Sequence, residues 1–473
     1  MNIPLSNFKI LKYLITICVF LIVLILTYNL ILMNRFESDA PIIKYTNPIT
    51  IEEARMQDLD YLMMFFQLEK SFTKDTLAIA EKYYQQLIEN APDLGDAEFE
   101  LAVAKIVAAA DNGHTKIREY DRTPKYNRLP IRGHWFADGY FIIRAHQGFE
   151  QHLGKRITSI DDVPMFEVLK KLRPYIGGTD EIFKKYIPYL IESPELLYAA
   201  KITNNKDEFQ LKFESNGNSS HATIRASKDY STEHIARTNI LLSPSVYKKS
   251  QPKWKPAIKE SDQLPVYLKH PLESFQTKQL DSLNAFYVQF RTNNDSSTQS
   301  ISDFCEKAMS DFQQSSKEYL IIDHRFNVGG NMLKTKDCMK EFPSLVADNG
   351  HVFLITSHFT FSAGIYSAAY IAQFGGDKVT IVGTQIGDRL ISWAEDNLMV
   401  LPNSKIQIKF STGKHDLTNG CSDWSQCFWK TMNLDLRVNS LKPDISTPLY
   451  YSDYIKNIDP ALAAIEKQII MKR

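Results

Sequence analysis

The chain has 473 residues, enough for two to four domains with cores of useful size. Its 55 Lys and Arg residues balance 55 Asp and Glu residues, so the net charge of zero argues against attraction of the whole chain to nucleic acid. With 44% hydrophobic and 23% charged residues, the composition is that of a globular protein and not of a disordered chain or a rod.

The apolar residues are concentrated near the N-terminus. Residues 13–33 carry no charge and are rich in Leu, Ile and Val, a run that is long enough as a helix to cross a bilayer. A cleaved signal peptide usually has a shorter apolar region and a small-residue cleavage site, which this run lacks. We therefore interpret the run as a retained transmembrane anchor, with a signal peptide and a buried core helix as alternatives.

The charges beside this run predict its orientation. Lys9 and Lys12 precede it, whereas Glu37 and Asp39 dilute the single Arg35 that follows. We expect a short cytoplasmic tail over residues 1–12 and one pass through the inner (cytoplasmic) membrane. The body of the protein would then lie on the periplasmic or extracytoplasmic side.

Four of the five cysteines lie outside the apolar run. Cys421 and Cys427 are close together in a polar, turn-rich stretch, which favours a small disulfide loop in an oxidising compartment. Cys305 and Cys338 fall in predicted helices and are expected to be buried thiols. Too few ligands lie at close spacing for a zinc site, so no metal is expected.

The body divides by pattern into several regions. Residues 50–125 are predicted to be helical, and the last of their helices ends at a helix-stop signal directly before His114. Residues 129–225 form a small mixed domain, and the polar, Lys-rich residues 226–275 form a connector or an insertion. From residue 285 to 460, strands alternate with helices, which predicts an α/β domain with a parallel sheet and crossover helices.

Two segments of this last region can carry chemistry. Ser362 lies between a strand and an apolar helix, where free backbone N–H groups can stabilise an oxyanion, although such a serine can also serve only as a helix cap. Asp323 ends a strand, and Gly329 and Gly330 open the turn after it. Adjacent glycines let the backbone approach a ligand closely, but they also suit an ordinary tight turn.

Three segments together resemble the tail-specific (C-terminal-processing) protease family. The run from Asp323 to Gly330 resembles the Asp-Leu-Arg-x-Asn-x-Gly-Gly segment of that family, and the segment around Ser362 resembles its Thr-x-Ser-Ala nucleophile segment. Residues 111–115 resemble the Asp-Gly-His-Thr signature of the tricorn-core-like branch. The resemblance covers residues 285–450 well and implies a crotonase-like protease core, with residues 129–225 as a degenerate PDZ-like module.

The resemblance also implies roles for single residues. The Ser/Lys dyad of one branch is absent here, so the Ser/His branch applies, with Ser362 as nucleophile and His114 as general base. The backbone N–H groups of Gly330 and Ala363 would form the oxyanion hole. We favour Glu395 as the orienting acid.

Other residues compete for two of these roles. Asp388 is the rival to Glu395 as the acid. His358, which lies four residues before the nucleophile, competes as the base, and the pair His415-Asp416 is a further alternative.

The predicted function is that of a membrane-anchored serine endopeptidase that hydrolyses extracytoplasmic proteins or peptides and needs no cofactor. Its expected partners are a peptide or protein substrate and the membrane. A catalytically inactive member that binds peptides or acts as a scaffold is the alternative. A different chemistry on the same sheet, such as thioester hydration, is a third reading.

Overall fold

The computed structural model describes residues 5–118, 124–215, 217–230, 238–245, 253–395, 397–432 and 434–472. Parts of the predicted regions 1–12, 50–125, 129–225, 226–275 and 285–460 therefore lie outside the described residues. The α-helices are α1 (Leu5–Phe36), α2 (Ile51–Leu62), α3 (Phe65–Leu68), α4 (Lys74–Asn90), α5 (Asp96–Ala108), α6 (Met165–Leu172), α7 (Asp180–Tyr186), α8 (Pro188–Ile191), α9 (Pro194–Ala199), α10 (Thr238–Leu242), α11 (Ile301–Gln314), α12 (Met332–Glu341), α13 (Ala363–Gly375), α14 (Tyr451–Ile455) and α15 (Pro460–Lys472).

The β-strands are β1 (Lys116–Ile117), β2 (Ile131–Phe136), β3 (Gly139–His146), β4 (Arg156–Ile160), β5 (Val163–Pro164), β6 (Glu208–Ser215), β7 (Asn218–Arg225), β8 (Trp254–Pro256), β9 (Phe275–Leu280), β10 (Ala285–Phe290), β11 (Tyr319–Asp323), β12 (His351–Thr356), β13 (Val379–Gly383), β14 (Ile391–Ala394), β15 (Asn397–Val400), β16 (Gln407–Phe410), β17 (Gly413–Asp416) and β18 (Ile445–Ser446).

The largest core surrounds a six-stranded sheet in the order β18-β13-β12-β11-β10-β9. The five strands from β10 to β18 are parallel to their neighbours, and only β9 runs antiparallel. Helices α11, α12 and α13 are the crossovers between successive parallel strands. Strand–helix alternation therefore gives the mixed α/β architecture predicted from the sequence.

Both faces of this sheet are covered. Leu320 and Ile322 of β11 pack with the crossover helices, whereas Ile321 lies in a second cluster with Ile465 of α15. Side chains alternate between faces along a strand, and helices on both sides bury every one of them. This explains why β11 is apolar up to Asp323 and why every residue of β12 between His351 and Thr356 is apolar.

The N-terminal helices pack on a separate small sheet. Helices α2 to α5 share a core with the three-stranded sheet β1-β16-β15. Strand β1 pairs antiparallel with β16, with Ile117 opposite Ile408. Because β1 begins two residues after His114, this pairing attaches the loop that carries His114 to the second half of the chain.

A seven-stranded antiparallel sheet forms a third unit. Its main path is β2-β3-β4-β6-β7, with β5 on β4 and β8 on β3. Strand β8 belongs to the region 226–275, so part of the predicted connector extends this sheet. Phe361, which precedes the proposed nucleophile, lies in the core of this unit.

Helix α1 contains a segment over residues 12–36 that is long and apolar enough to cross a membrane, a property that a signal sequence also has. It is exposed along most of its described length. Leu32 and Phe36 near its end are buried in the core of the six-stranded sheet domain.

The structure contains two disulfide bonds. Cys421 and Cys427 are bonded to each other and close a short loop. The expectation that Cys305 and Cys338 are buried thiols is wrong, because they form a disulfide between α11 and α12. The two cysteines lie on the buried faces of neighbouring crossover helices, a proximity that their separation of 33 residues does not reveal.

Candidate active site

Four loops meet at the carboxyl edge of the six-stranded sheet. Asn293 follows β10, Gly330 follows β11, Ser362 follows β12 and Asp388 follows β13. Loops that leave the same edge of adjacent parallel strands lie side by side, which is where α/β proteins commonly place their ligands. Ser362, Gly330 and Asp388 accordingly line one cleft of about 530 Å³.

Ser362 caps α13 in a strained backbone conformation. Its φ angle is +54° with ψ at −129°, a combination that non-glycine residues rarely adopt. Such strain costs roughly 1–3 kcal/mol and is found preferentially at functional sites. The turn is held in place because the N–H of Phe361 donates to the carbonyl of Asn327 at 3.0 Å.

The two glycines after β11 bring a second backbone segment against this turn. Gly329 and Gly330 have φ angles of +96° and +136°, and a Cβ on Gly329 would lie 2.7 Å from that of Ser362. Among the described residues, neither the N–H of Gly330 nor that of Ala363 has a hydrogen-bond acceptor. Two backbone donors are therefore available beside the Ser362 hydroxyl.

A buried network of asparagines fixes this arrangement, and sequence reasoning missed it. The Asn327 amide accepts from the N–H of Gly329 at 3.0 Å and donates to Asn293 at 2.8 Å. The Asn293 amide in turn donates to the Ala363 carbonyl and the Ser367 hydroxyl. Asn327 belongs to the glycine-turn segment, but nothing in the sequence connects Asn293 to it.

His114 and Asp388 form a buried pair in the same cleft. His114 Nδ1 lies 3.6 Å from Asp388 Oδ2, and the two residues are 5% and 4% exposed. Among the described residues, neither ring nitrogen nor Oδ2 has a hydrogen-bond partner, which is rare for buried polar atoms. The ring stacks on Phe361 at 4.4 Å between centroids. No hydrogen bond joins His114 to the Ser362 hydroxyl within the described part of the chain.

The loop carrying His114 is clamped to the loop carrying Asp388. The Arg389 guanidinium donates to the Asp111 carbonyl at 2.7 Å and to its carboxylate at 2.8 Å. A Cβ on Gly113 would lie 2.7 Å from Asp388 Oδ2, so glycine is needed for this close approach. These contacts place the Asp388 carboxylate against Gly113, the residue before His114.

Asn112 and Thr115, which flank His114 in the 111–115 segment, are held by hydrogen bonds to residues that are distant in the sequence. Asn112 donates to the hydroxyls of Thr115 and Ser411 at 2.9 Å each, and Thr115 donates to Glu69 at 2.7 Å. Burial raises the pKa of Glu69, although its hydrogen bonds oppose the shift. Sequence reasoning missed Glu69 and Ser411, because only the tertiary structure joins them to the motif.

The cleft contains a second histidine and a second carboxylate. His415 Nδ1 lies 2.8 Å from the Tyr366 hydroxyl, and its Nε2 lies 3.2 Å from Glu395 Oε1. Burial raises the pKa of Tyr366 well above its usual value, so this hydroxyl stays protonated and shares a hydrogen bond with Nδ1. Glu395, which we favoured as the acid from the sequence, thus lies with His415, whereas its rival Asp388 lies with His114.

His358 lies outside this cleft. It lines two neighbouring cavities together with Phe359, whose ring centroid is 3.9 Å from its own. Desolvation lowers the pKa of His358 well below its usual value, and the nearby His134 lowers it further. The residues described contain no cluster of three or more His, Cys, Asp or Glu side chains that could hold a metal ion.

Neither a protein-family model nor a curated protein matches the sequence. Among solved structures, mature CPAF complexed with lactacystin matches at a TM-score of 0.56 and 11% identity, over 89% of this chain and 98% of that one. The chain has the CPAF fold. A CPAF mutant gives a TM-score of 0.55 at 12% identity, over 89% and 97% of the two chains.

The structural neighbours also include the photosystem II D1 C-terminal processing protease, at a TM-score of 0.36 and 11% identity over 88% and 96% of the chains. At such low identities, the matches to CPAF establish a shared fold only. The chemistry of this chain depends on the residues of its own site.

Proposed function

We propose that the protein is a membrane-anchored serine endopeptidase that hydrolyses extracytoplasmic proteins or peptides. The observation that carries the proposal is the buried, unpartnered pair of His114 and Asp388 in the same cleft as Ser362. A strained serine, an imidazole beside a carboxylate and two free backbone N–H groups are the parts that acyl transfer needs. The structural neighbours support a peptidase.

In the first half of the reaction, Ser362 Oγ attacks the carbonyl carbon of the scissile peptide bond. His114 Nε2 takes the hydroxyl proton, and the N–H groups of Gly330 and Ala363 stabilise the oxyanion that forms. The tetrahedral intermediate then collapses to an acyl-enzyme. The C–N bond breaks, and the leaving amine receives the proton from the His114 imidazolium.

In the second half, water attacks the acyl carbon while His114 takes a proton from that water. The bond from this carbon to Ser362 Oγ then breaks, Oγ receives the proton from the His114 imidazolium, and the carboxylic acid product leaves. Asp388 orients the imidazole and stabilises its charged form, because its carboxylate faces Nδ1. Glu395 is not given this role, since it lies 3.2 Å from His415. Substrate binding would bring the hydroxyl and the imidazole into hydrogen-bond range, as free enzymes often hold these groups apart.

The burial of Leu32 and Phe36 supports a retained anchor. A signal peptidase that cut after the apolar run would remove Leu32 from the core that contains both residues. The disulfides Cys305–Cys338 and Cys421–Cys427 favour an oxidising compartment for the body of the protein. Together with the flanking charges, they support the periplasmic or extracytoplasmic side.

We assign a crotonase-like core to the six-stranded sheet domain and a PDZ-like role to the seven-stranded sheet unit. Two contacts support communication between them. Phe361 packs in the core of the seven-stranded unit, and the Thr179 hydroxyl donates to the Gly387 carbonyl at 2.9 Å. A movement of that unit would therefore reach both the nucleophile loop and the loop of Asp388.

Covalent labelling tests the mechanism directly. A fluorophosphonate probe should label the full-length protein at Ser362, and Ser362→Ala should abolish both labelling and peptide cleavage. Ser392→Ala is the matched control, because Ser392 lines the same cleft and should keep both activities. Undiminished cleavage by Ser362→Ala, with Ser392→Ala also active, would disprove the proposed nucleophile.

A peptide-binding protein without cleavage is the second candidate function. The observation in its favour is that no hydrogen bond joins Ser362 to His114 within the described residues. A folded protein that binds peptides, resists the probe and leaves every peptide intact would establish this reading in place of the peptidase.

A further inference from the structure

The end of α1 is part of the cleft domain and is not joined to it by a linker. Leu32 is 7% exposed and Phe36 only 1%. The Phe36 ring packs edge-on against Phe428, which lines the cleft, at 5.9 Å between centroids. The backbone carbonyl of Phe36 accepts hydrogen bonds from the Asn397 side chain at 2.9 Å and from the Thr412 hydroxyl at 2.7 Å. The apolar run therefore continues directly into the core beside the active site.

This attachment sets the height of the cleft above a bilayer. The apolar run ends at Met33, and Glu37, four residues later, lines the cleft and pairs with Lys430. At a helical rise of about 1.5 Å per residue, Glu37 lies about 6 Å beyond the hydrocarbon region. The headgroup layer is about 5–8 Å thick on each side. When α1 spans a membrane, this end of the cleft therefore lies at headgroup level.

The disulfide loop between Cys421 and Cys427 lies at the same level. The guanidinium of Arg35, two residues past the apolar run, donates to the carbonyl of Ser425 in this loop. Asp423 makes the loop rigid, since its carboxylate accepts from the N–H and the hydroxyl of Ser425.

This loop contains one aromatic residue, the tryptophan Trp424. Trp424 is 59% exposed, although it is a large apolar residue in a loop closed by a disulfide. Indole rings favour the membrane–water interface, where the ring meets apolar chains and the N–H stays hydrated. A rigid loop that presents an exposed indole beside the exit of a membrane span has the chemistry of an interfacial anchor.

We propose that the Cys421–Cys427 loop is a second membrane contact, with the Trp424 indole seated in the lipid headgroup layer. The two attachments, α1 and this loop, hold the cleft against the membrane surface. The cleft would then act on polypeptide that lies along or emerges from that surface. The second membrane contact rests on the anchor in the proposed function, but the contact itself does not depend on peptidase activity.

Fluorescence quenching by spin-labelled lipid tests the contact. The full-length protein is placed in phosphatidylcholine nanodiscs that carry a nitroxide at the headgroup or high on the acyl chain. Part of the tryptophan emission should be quenched, and Trp424→Phe should remove that part. Trp135→Phe is the matched control, because Trp135 is a partly exposed tryptophan of β2 in a different unit, and this variant should keep the quenched part.

The outcomes separate the possible failures. Equal lipid quenching in the wild type and in Trp424→Phe, with the protein inserted, would overturn the second contact and leave the anchor and the peptidase standing. Extraction of the chain from membranes by alkaline carbonate would overturn the anchor and this contact together. Probe labelling at Ser362 is unaffected by either result, so a failure of the peptidase function is seen separately.

Discussion

His114 and His415 line the same cleft, and each lies beside a carboxylate, but their surroundings differ. His415 has its Nδ1 hydrogen-bonded to the Tyr366 hydroxyl, and its Nε2 lies 3.2 Å from Glu395 Oε1 without a hydrogen bond among the described residues. His114 faces Asp388 with Nδ1 at 3.6 Å, and its Nε2 has no partner among the described residues. A general base needs one nitrogen held by an acid and the other free to take a proton. Proximity to a carboxylate alone therefore does not identify the base.

The strongest test of this contrast replaces each histidine. His114→Ala should lower kcat/KM by about 10⁴-fold or more, because it removes the proposed general base for Ser362. His415→Gln should lower it by less than about tenfold, since the Tyr366 hydroxyl occupies Nδ1 of His415 and Glu395 lies at its Nε2. Peptide cleavage by the two purified variants measures both effects. A reversed order would assign the base to His415.

The two carboxylates offer the next test. Asp388→Asn should reduce kcat by about 10²–10⁴-fold, because an amide can stabilise the wrong imidazole tautomer. Glu395→Gln should change kcat by less than about tenfold, since its neighbour is not the proposed base. The readout is kcat for a peptide substrate, with KM measured in parallel. A larger loss in Glu395→Gln would restore it as the orienting acid.

Histidines that are buried away from the cleft should make the stability of the fold depend on pH. Desolvation lowers the pKa of His134 and of His324 to about 3. The unfolded chain binds protons below about pH 6.5 that the folded chain does not, so stability is present above that pH and is lost as pH falls. Between pH 7 and pH 5 the loss is on the order of 1–2 kcal/mol for each such histidine.

Denaturation of the detergent-solubilised chain measures this effect. The urea midpoint should fall from pH 7 to pH 5, and His324→Phe should show a smaller fall because its ring no longer titrates. His324 contacts Phe290 edge-on and has no hydrogen bond to its ring within the described residues, so phenylalanine suits the site. An unchanged pH dependence in this variant would argue against a neutral, buried His324.

The smallest expected effect comes from the clamp between the loop of His114 and the loop of Asp388. Arg389→Gln removes the ion pair with Asp111 and should lower kcat by about three- to tenfold, since the His114 loop is held less firmly. Both side chains are about half exposed, so stability should change by no more than about 1 kcal/mol. Kinetics and a thermal melt measured together separate the positioning of His114 from folding. A loss in stability without a loss in kcat would make Arg389 a structural residue only.

The order of strands and helices in the sheet domain could be predicted from the sequence, because each element has its own local pattern. Strands β11 and β12 are short apolar runs, and a Gly-containing turn or a cap separates each from its helix. The segments around Ser362 and His114 could be identified as candidate catalytic segments for the same reason, because each is a short local motif. The pairing of Cys305 with Cys338 could not be predicted from the sequence, since it depends on how the faces of two helices meet.

The sequence by itself determined the apolar span, the alternation of strands and helices, and the residues that could act as nucleophile and base. Each of these depends on side chains within a few positions of one another. Only the tertiary structure decided that Asp388 lies beside His114 while Glu395 lies beside His415. The partner of a carboxylate depends on which loops meet at the end of a sheet, and those loops are far apart along the chain.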